Sequence, residues 1–400
     1  MTGLSITRRS ALAAGAGLVF AARSTYAAAD GDLAKRKLVV IIARGGMDGL
    51  SVSPPIGDAA YQGLRRDIAI PAAEALKLDG DFALHPRLAA IHALALKGQA
   101  RIAPAVASPD RARSHFEAQD VLESGGSVVY GTASGWLNRT LEALPARKVE
   151  ALSVGGQAPL ILRGKVQAAS WSPGPTARGE RLPMILADLY SGDPVLARAL
   201  ASGLETEAMA QAASRGMTPA AGGGRNNGGG AAGGRQMGTT VANFMTADGG
   251  PQIVALSLDG WDTHANQGAS EGQLAGRLAN LDGVVDGLAS GLGAEWKNTM
   301  VVVVTEFGRT ARINGTRGTD HGTASTALVL GGSLKKGGIV GDWPTLAPAK
   351  LFEGRDTAPT LDIRSLFKGV LAEQLGVERR ALDSTIFADS SAAAPVSGLV

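Results

Sequence analysis

Asp262-x-His264 and Asp320-His321 gather two imidazoles and two carboxylates into two short stretches of a 400-residue chain that has only five histidines and no cysteine. Neutral imidazole and carboxylate together suit a borderline divalent ion, Zn²⁺ or Mn²⁺ before others. The lack of cysteine excludes thiolate metal sites, cysteine nucleophiles and disulfides. Asp48, Glu306 and the pair Ser114-His115 complete the set of residues able to do chemistry. A metal set of Asp48, Asp262, His264, Glu306, Asp320 and His321 would orient an anionic ester and activate water or a hydroxyl. Ser114 is the candidate nucleophile and His115 lies beside it. Arg309, with Arg44 and Arg113, offers guanidinium forks that match phosphate or sulfate oxygens.

Each of these residues also has a structural reading. Asp48 fits a bond to the glycine turn around it, and Ser114 fits a helix N-cap. Asp262 and His264 fit a closed turn, Glu306 an ion pair with Arg309, and Asp320-His321 a loop anchor. His115 fits a hydrogen-bonding wall. His85, before a proline, and His92, on a helix face, read as structural.

Strands must deliver these groups to one place. Met300 to Thr305 (MVVVVT) is a valine run that ends at Glu306, as expected of a strand buried on both faces of a parallel sheet. Lys37 to Ala43 (KLVVIIA) runs into Arg44-Gly45-Gly46-Met47-Asp48. Arg101 to Ala107 (RIAPAVA) precedes Ser114-His115, and Ile253 to Leu258 (IVALSL) runs into Asp259-Gly260-Trp261-Asp262. Parallel neighbours among these four would present their ends at one sheet edge, where ligands of open α/β sheets bind. Further strands are expected at Glu150–Val154, Ala158–Leu162 and Thr326–Leu330. Helices are expected after Pro86, near Gly135–Leu144, over Pro194–Ala213 and Gly272–Leu292, and from an Asp362 cap to Leu375 with Gly376 as the stop. The alternation predicts a doubly wound α/β fold with a mostly parallel sheet and helices on both faces.

Residues 1–29 read as an export signal. Arg8-Arg9 precede a short, glycine-rich apolar run and small residues at Ala27–Ala29, the pattern of the twin-arginine route. The run is too short to span the ~30 Å of membrane hydrocarbon well, so no stable span is expected after cleavage. The expected location is periplasmic or secreted, with the twin-arginine export machinery as partner. The chain has 39 basic and 36 acidic residues. Arg8, Arg9 and Arg23 account for the excess, so the remainder is balanced and gives no support for nucleic-acid binding. No dinucleotide or Walker fingerprint follows any strand, which removes support for a nucleotide-dependent oxidoreductase. Residues 30–389 read as one α/β domain. The Gly-rich stretch 216–238 reads as a flexible insertion and 390–400 as a disordered tail.

The segments RGGMDGLSV, ALHPRL, SHFEAQD, LDGWDTHANQ, TEFGRTARINGTRGTDHG and LDIRSLFKGVL, in this order, resemble the bacterial family called domain of unknown function 1501 (DUF1501). That family is similar to the alkaline phosphatase and sulfatase superfamily. The resemblance implies Asp48 as the ligand after the first strand, Ser114 in the nucleophile region, and Asp262 with His264 as a metal pair. It also implies Glu306 as the late acidic ligand and His321 as the final histidine. Two departures stand out. Asp-x-x-x-His is replaced by Asp259-x-x-x-x-His264 or Asp262-x-His264, and the late Asp-His pair is replaced by Glu306-Phe307. The expectation is an exported metal-dependent hydrolase of small phosphate or sulfate esters. The alternative is a non-catalytic periplasmic binding or assembly factor on a degenerate hydrolase fold.

Overall fold

Alternate side chains of the valine-rich strands enter two different cores. In β1 (Lys37–Arg44), Leu38, Val40 and Ile42 join one apolar cluster, while Val39, Ile41 and Ala43 join the other. A strand buried on both faces needs no polar alternation, which is why these segments read as continuous apolar runs. The computed structural model describes residues 35–144, 151–155, 159–172, 186, 189–190, 192–213 and 230–400. The export signal expected over 1–29 lies outside these residues.

The main strands after β1 are β4 (Ala100–Ala107), β5 (Ala151–Val154), β6 (Ala169–Trp171), β7 (Ile253–Asp259), β8 (Thr299–Val304) and β9 (Ser325–Leu330), with β2 (Leu76–Lys77) and β3 (Ala83–Leu84) forming a separate small hairpin. Two short strands, β10 (Gly338–Ile339) and β11 (Leu361–Asp362), both pair with β4 and complete a nine-stranded sheet. Its order is β10-β4-β9-β8-β1-β7-β5-β6. Every pairing is parallel except those of β9, which is antiparallel to both β4 and β8. The carboxyl ends of β4, β8, β1 and β7 therefore share one edge, and the chain from β8 to β9 turns back across it. Ala158–Leu162, expected as a strand, is a 3-10 turn over Leu160–Leu162 where described.

On one face lie α1 (Ala89–Leu96), α5 (Gly230–Thr246) and α6 (Gln273–Leu292). On the other lie α2 (His115–Ser124), α3 (Trp136–Ala143) and α7 (Ile363–Leu375). The expected helix Pro194–Ala213, α4, is present. Asp362 caps α7 by accepting from Arg364 N, and Gly376 ends it in the left-handed region. No helix among the described residues is long and apolar enough to cross a membrane.

The structure departs from two expectations. First, part of the Gly-rich stretch, 230–238, is the start of α5 rather than a flexible insertion. Its glycines give up side-chain burial but permit backbone contact with α6. A Cβ on Gly234 or Gly238 would lie 2.1 Å from the carbonyl oxygen of Asn280 or Val284. A Cβ on Gly283 or Gly287 would lie 2.2 Å from that of Ala231 or Arg235. Composition alone hides this, because the helix is held by a facing glycine row far along the chain. Second, residues 390–400 are tied down rather than disordered. Glu373 accepts from the backbone N–H groups of Gly398, Leu399 and Val400, and Lys368 donates to the carbonyls of Ser390 and Ala393. Leu399 is fully buried.

Gly283→Ala should lower stability by about 1–3 kcal/mol in urea unfolding, because backbone must move to admit the methyl group. Gly276, in the same helix with open space around it, should gain about 0.5–1 kcal/mol as alanine. Equal responses at the two positions would show that the helices do not meet through their glycines.

Candidate functional site

Beyond the carboxyl ends of β1, β7 and β8 the chain bends sharply. Gly45, at φ +119°, brings its backbone against the turn that carries Asp262; a Cβ there would sit 2.6 Å from Asp262 N. Gly46, at φ +69°, leaves room for the Phe307 ring. Only glycine meets both demands, conformation and closeness.

Asp262, His264 and His321 converge. Asp262 Oδ1 lies 3.0 Å from His264 Nε2 and 3.2 Å from His321 Nε2. The two Nε2 atoms are 3.0 Å apart. His115 Nε2 faces the other carboxylate oxygen, Oδ2, at 3.5 Å. Ligand atoms of His115, Asp262 and His321 all lie within 4.8 Å of one another.

The opposite edge of each imidazole is committed. His115 Nδ1 is 2.8 Å from Glu306 Oε1, His264 Nδ1 is 3.2 Å from Asp320 Oδ1, and His321 Nδ1 is 2.8 Å from the Arg113 carbonyl oxygen. A carbonyl only accepts, so His321 carries its proton on Nδ1. His115 and His264 each lie between two carboxylates, Glu306 or Asp320 at Nδ1 and Asp262 at Nε2, and all three carboxylates are held below their ordinary range. In Glu306 burial works upward, but the bonds from His115, its own backbone, Gln119 and Gly45 outweigh it. In Asp320 burial is likewise outweighed, by Asn314, His264 and Arg309. Neutral His321 thus presents its Nε2 lone pair toward Asp262, and the Nε2 edges of His115 and His264 face the same carboxylate. In Asp262 burial again opposes ionisation, and Arg309, His264 and His115 prevail.

Asp262 Oδ1, His264 Nε2 and His321 Nε2 stand within 3.0–3.2 Å of one another, and Arg309 Nη1 reaches the same Asp262 oxygen at 2.8 Å. With a divalent ion, the spacing is that of neighbouring ligands at ~2.0–2.2 Å from one centre. Carboxylate-bound and carbonyl-bound imidazoles of this kind recur behind metal ligands, where they fix the ring and raise its basicity. An imidazole and carboxylate donor set at this spacing fits a divalent ion.

The structure separates the other sequence candidates from this point. Glu306 stands behind His115, 1% exposed, with its oxygens taken by His115, Gly45 N, Gln119 and Thr305. Asp320 stands behind His264. Asp48 pairs with buried Arg65 and accepts from Ser51 and Gln267. The arginine fixes it in a different network. Ser114 is the residue before α2, but its side chain does not cap the helix. Arg309 is buried and donates from Nη1 to Asp262 Oδ1 at 2.8 Å. Arg44 pairs with Glu123, and Arg113 with Glu353 and Asp356. Phe307, at the position of the missing histidine, packs 4.8 Å from both the His115 and His321 rings, centre to centre. His85 bonds the Ala269 carbonyl and Arg87 N, and His92 bonds the Lys77 carbonyl, as structural residues do.

Gln267 was not singled out by sequence reasoning. Its Oε1 accepts from Thr263 and Thr319 at 2.9 and 2.8 Å, and its Nε2 reaches Asp48 Oδ2 at 2.6 Å. One amide thereby ties the loop after β1 to both ligand loops. Only its proximity to His264 hinted at it, since a glutamine has no distinctive spacing.

His115 and His321 are shifted in opposite directions. The Glu306 bond holds His115 above 6.5, against the effect of burial. Burial, with the Arg113 carbonyl opposing, leaves His321 below 6.5. In metal-free protein, NMR titration should find the two rings on either side of that value, and Glu306→Gln should bring His115 down. Because its folded value is raised, the His115–Glu306 pair stabilises fully below about pH 6.5 and loses that contribution as pH rises through the folded value. Unaltered His115 titration in Glu306→Gln would contradict the assignment.

No curated protein matches the chain. Among solved structures it is similar to the C-terminal periplasmic domain of EcEptC from Escherichia coli in complex with Zn, at 10% identity over 89% of this chain and 87% of that one, TM-score 0.39. It is also similar to the phosphonate monoester hydrolase of Agrobacterium radiobacter, at 10% identity over 86% and 74%, TM-score 0.36. A third is a protein in the alkaline phosphatase superfamily from Vibrio parahaemolyticus, at 10% identity over 86% and 67%, TM-score 0.38. The sequence matches the family described as "Protein of unknown function (DUF1501)" over residues 35–386. With most of its length covered, the chain belongs to the DUF1501 family.

Proposed function

We propose that the chain is an exported, metal-dependent hydrolase of small phosphate or sulfate esters that uses a single divalent ion held by His115, Asp262, His264 and His321. The observation that carries this reading is the mutual contact of Asp262 Oδ1, His264 Nε2 and His321 Nε2, with His115 Nε2 3.5 Å from the other Asp262 oxygen. A bound Zn²⁺ or Mn²⁺ supplies Lewis acidity and makes water acidic enough to ionise near neutral pH. The protein's part is orientation. Glu306, Asp320 and the Arg113 carbonyl hold the three imidazoles by their Nδ1 edges and leave each Nε2 edge to face the ion. Arg309 keeps Asp262 ionised and aimed, so its role is positioning. No base bonds the Ser114 hydroxyl among the described residues, so water rather than Ser114 is assigned as the attacking group. Phe307 fills the space beside the rings and favours one ion over two. Export rests on Arg8-Arg9 and the apolar run behind them.

The second reading, a non-catalytic binding or assembly factor, is favoured by one observation. Arg44, Arg113 and Arg309, the cations expected to meet an anionic ester, are each engaged by a carboxylate of the chain itself. Metal content and turnover separate the two readings. The hydrolase should contain one Zn or Mn per chain by mass spectrometry and hydrolyse an aryl phosphate or sulfate. Chelation should abolish turnover, and His264→Ala should lower metal affinity by ~10²-fold or more, while Ser114→Ala keeps most of the rate. Bound metal without turnover on any ester would favour the second reading, and no metal in protein supplied with Zn²⁺ and Mn²⁺ would end the first.

A further inference from the structure

Beside the metal cluster, on the far side of Asp320, lies a cavity of about 180 Å³ lined by Thr310, Arg312, Ile313, Asn314, Asp320, Leu351, Gly354 and Arg355. We propose that this cavity is a substrate subsite that takes an anionic group, a carboxylate or a second phosphate, on the non-reacting part of the ester, with Arg312 as its recognition cation. The proposal rests on the hydrolase reading, which it deepens by naming a class of substrate.

Charge and continuity both point this way. Most arginines around the cluster are used up by protein partners, but among the described residues no carboxylate pairs with the exposed Arg312 guanidinium. Arg355 is partly engaged, donating to the His321 carbonyl at 2.5 Å and facing Asp356 at 3.3 Å. The one carboxylate in the lining, Asp320, is outnumbered by two guanidiniums, and its Oδ1 is already bonded by His264 and Asn314, at 3.2 and 3.1 Å. Arg312 is thus the lining cation that has no carboxylate partner among the described residues. A guanidinium fork matches carboxylate or phosphate oxygens in two-point contact. Ile313 and Leu351 supply an apolar wall for the carbon body of such a ligand.

Asp320 makes the cavity and the cluster one system. Its Oδ1 bonds the Nδ1 edge of His264, whose Nε2 edge faces the proposed ion. Asn314, also in the lining, donates to both Asp320 Oδ1 and the His264 carbonyl. Arg317, on the same loop and exposed, is absent from the lining and serves as the control for a diffuse basic field.

The test is a ³¹P NMR titration of the full chain with phenyl phosphate, after chelation of metal so that no ion can hold the probe. Wild type should bind. Arg312→Gln should weaken binding by about 10-fold, the scale of one charge-assisted contact. Arg312→Lys should recover part of the loss, and Arg317→Gln should stay within about twofold. Unchanged affinity in Arg312→Gln, or an equal loss in Arg317→Gln, would overturn the subsite. Loss of metal binding with Arg312-dependent phosphate binding intact would instead sink the hydrolase reading alone.

Discussion

The convergence of one carboxylate oxygen and two imidazole nitrogens on a single point is the constraint on which this structure turns. Asp262 Oδ1, His264 Nε2 and His321 Nε2 stand 3.0–3.2 Å apart. The surrounding structure maintains the arrangement from behind, with a buried glutamate, a loop aspartate and a backbone carbonyl each facing the Nδ1 edge of one ring. The Arg113 carbonyl is available because Arg113 adopts φ +57°, a conformation that few side chains accept without a compensating bond. Its guanidinium, anchored on Asp356 and Glu353, supplies that compensation.

The sheet explains why these residues meet. Parallel β1, β7 and β8 are adjacent, so the loops after them start at one edge. The antiparallel β9 returns the chain from β8 so that residues 306–322 cross the same edge and bring His321 to His264. The ligand loops are then zipped together by backbone and side-chain bonds, Thr319 N to Thr263 O among them, and locked from below by Gln267 and Asp48. Asp48 thus serves the site through a buried network. Breaking its pair with Arg65 would leave an uncompensated charge in the interior, which is costly at ~3–5 kcal/mol for pairs of this kind.

Much of the scaffold was legible in the sequence because parallel strands buried on both faces leave a plain signal, runs of Val, Ile and Leu ending at glycine or a carboxylate. The cap at Asp362 and the stop at Gly376 were legible for the same reason: local chemistry decides them. The division of labour within the site was not. Whether Glu306 touches an ion or stands behind His115 depends on how deep it sits beneath the edge, and on where α2 is placed by β4. Nothing local encodes that depth. Asp48 was drawn away by Arg65, which lies in an irregular polar stretch with no periodic pattern. The start of α5 was hidden because glycines facing glycines give no hydrophobic period.

The substitution of Phe307 for a histidine has a physical counterpart in the structure. The ring packs against His115 and His321 and is 5% exposed, so the space is filled by an apolar wall. The proposed single-ion centre, with three imidazoles and one carboxylate, accords with that wall and with the engagement of Asp48 by Arg65 and of Glu306 by His115. X-ray absorption at the metal edge of Zn²⁺-loaded protein tests this most directly. The expected spectrum has a first shell of nitrogen and oxygen at ~2.0–2.2 Å with outer-shell scattering from three imidazoles. A shell of oxygen alone, or one without imidazole scattering, would contradict it.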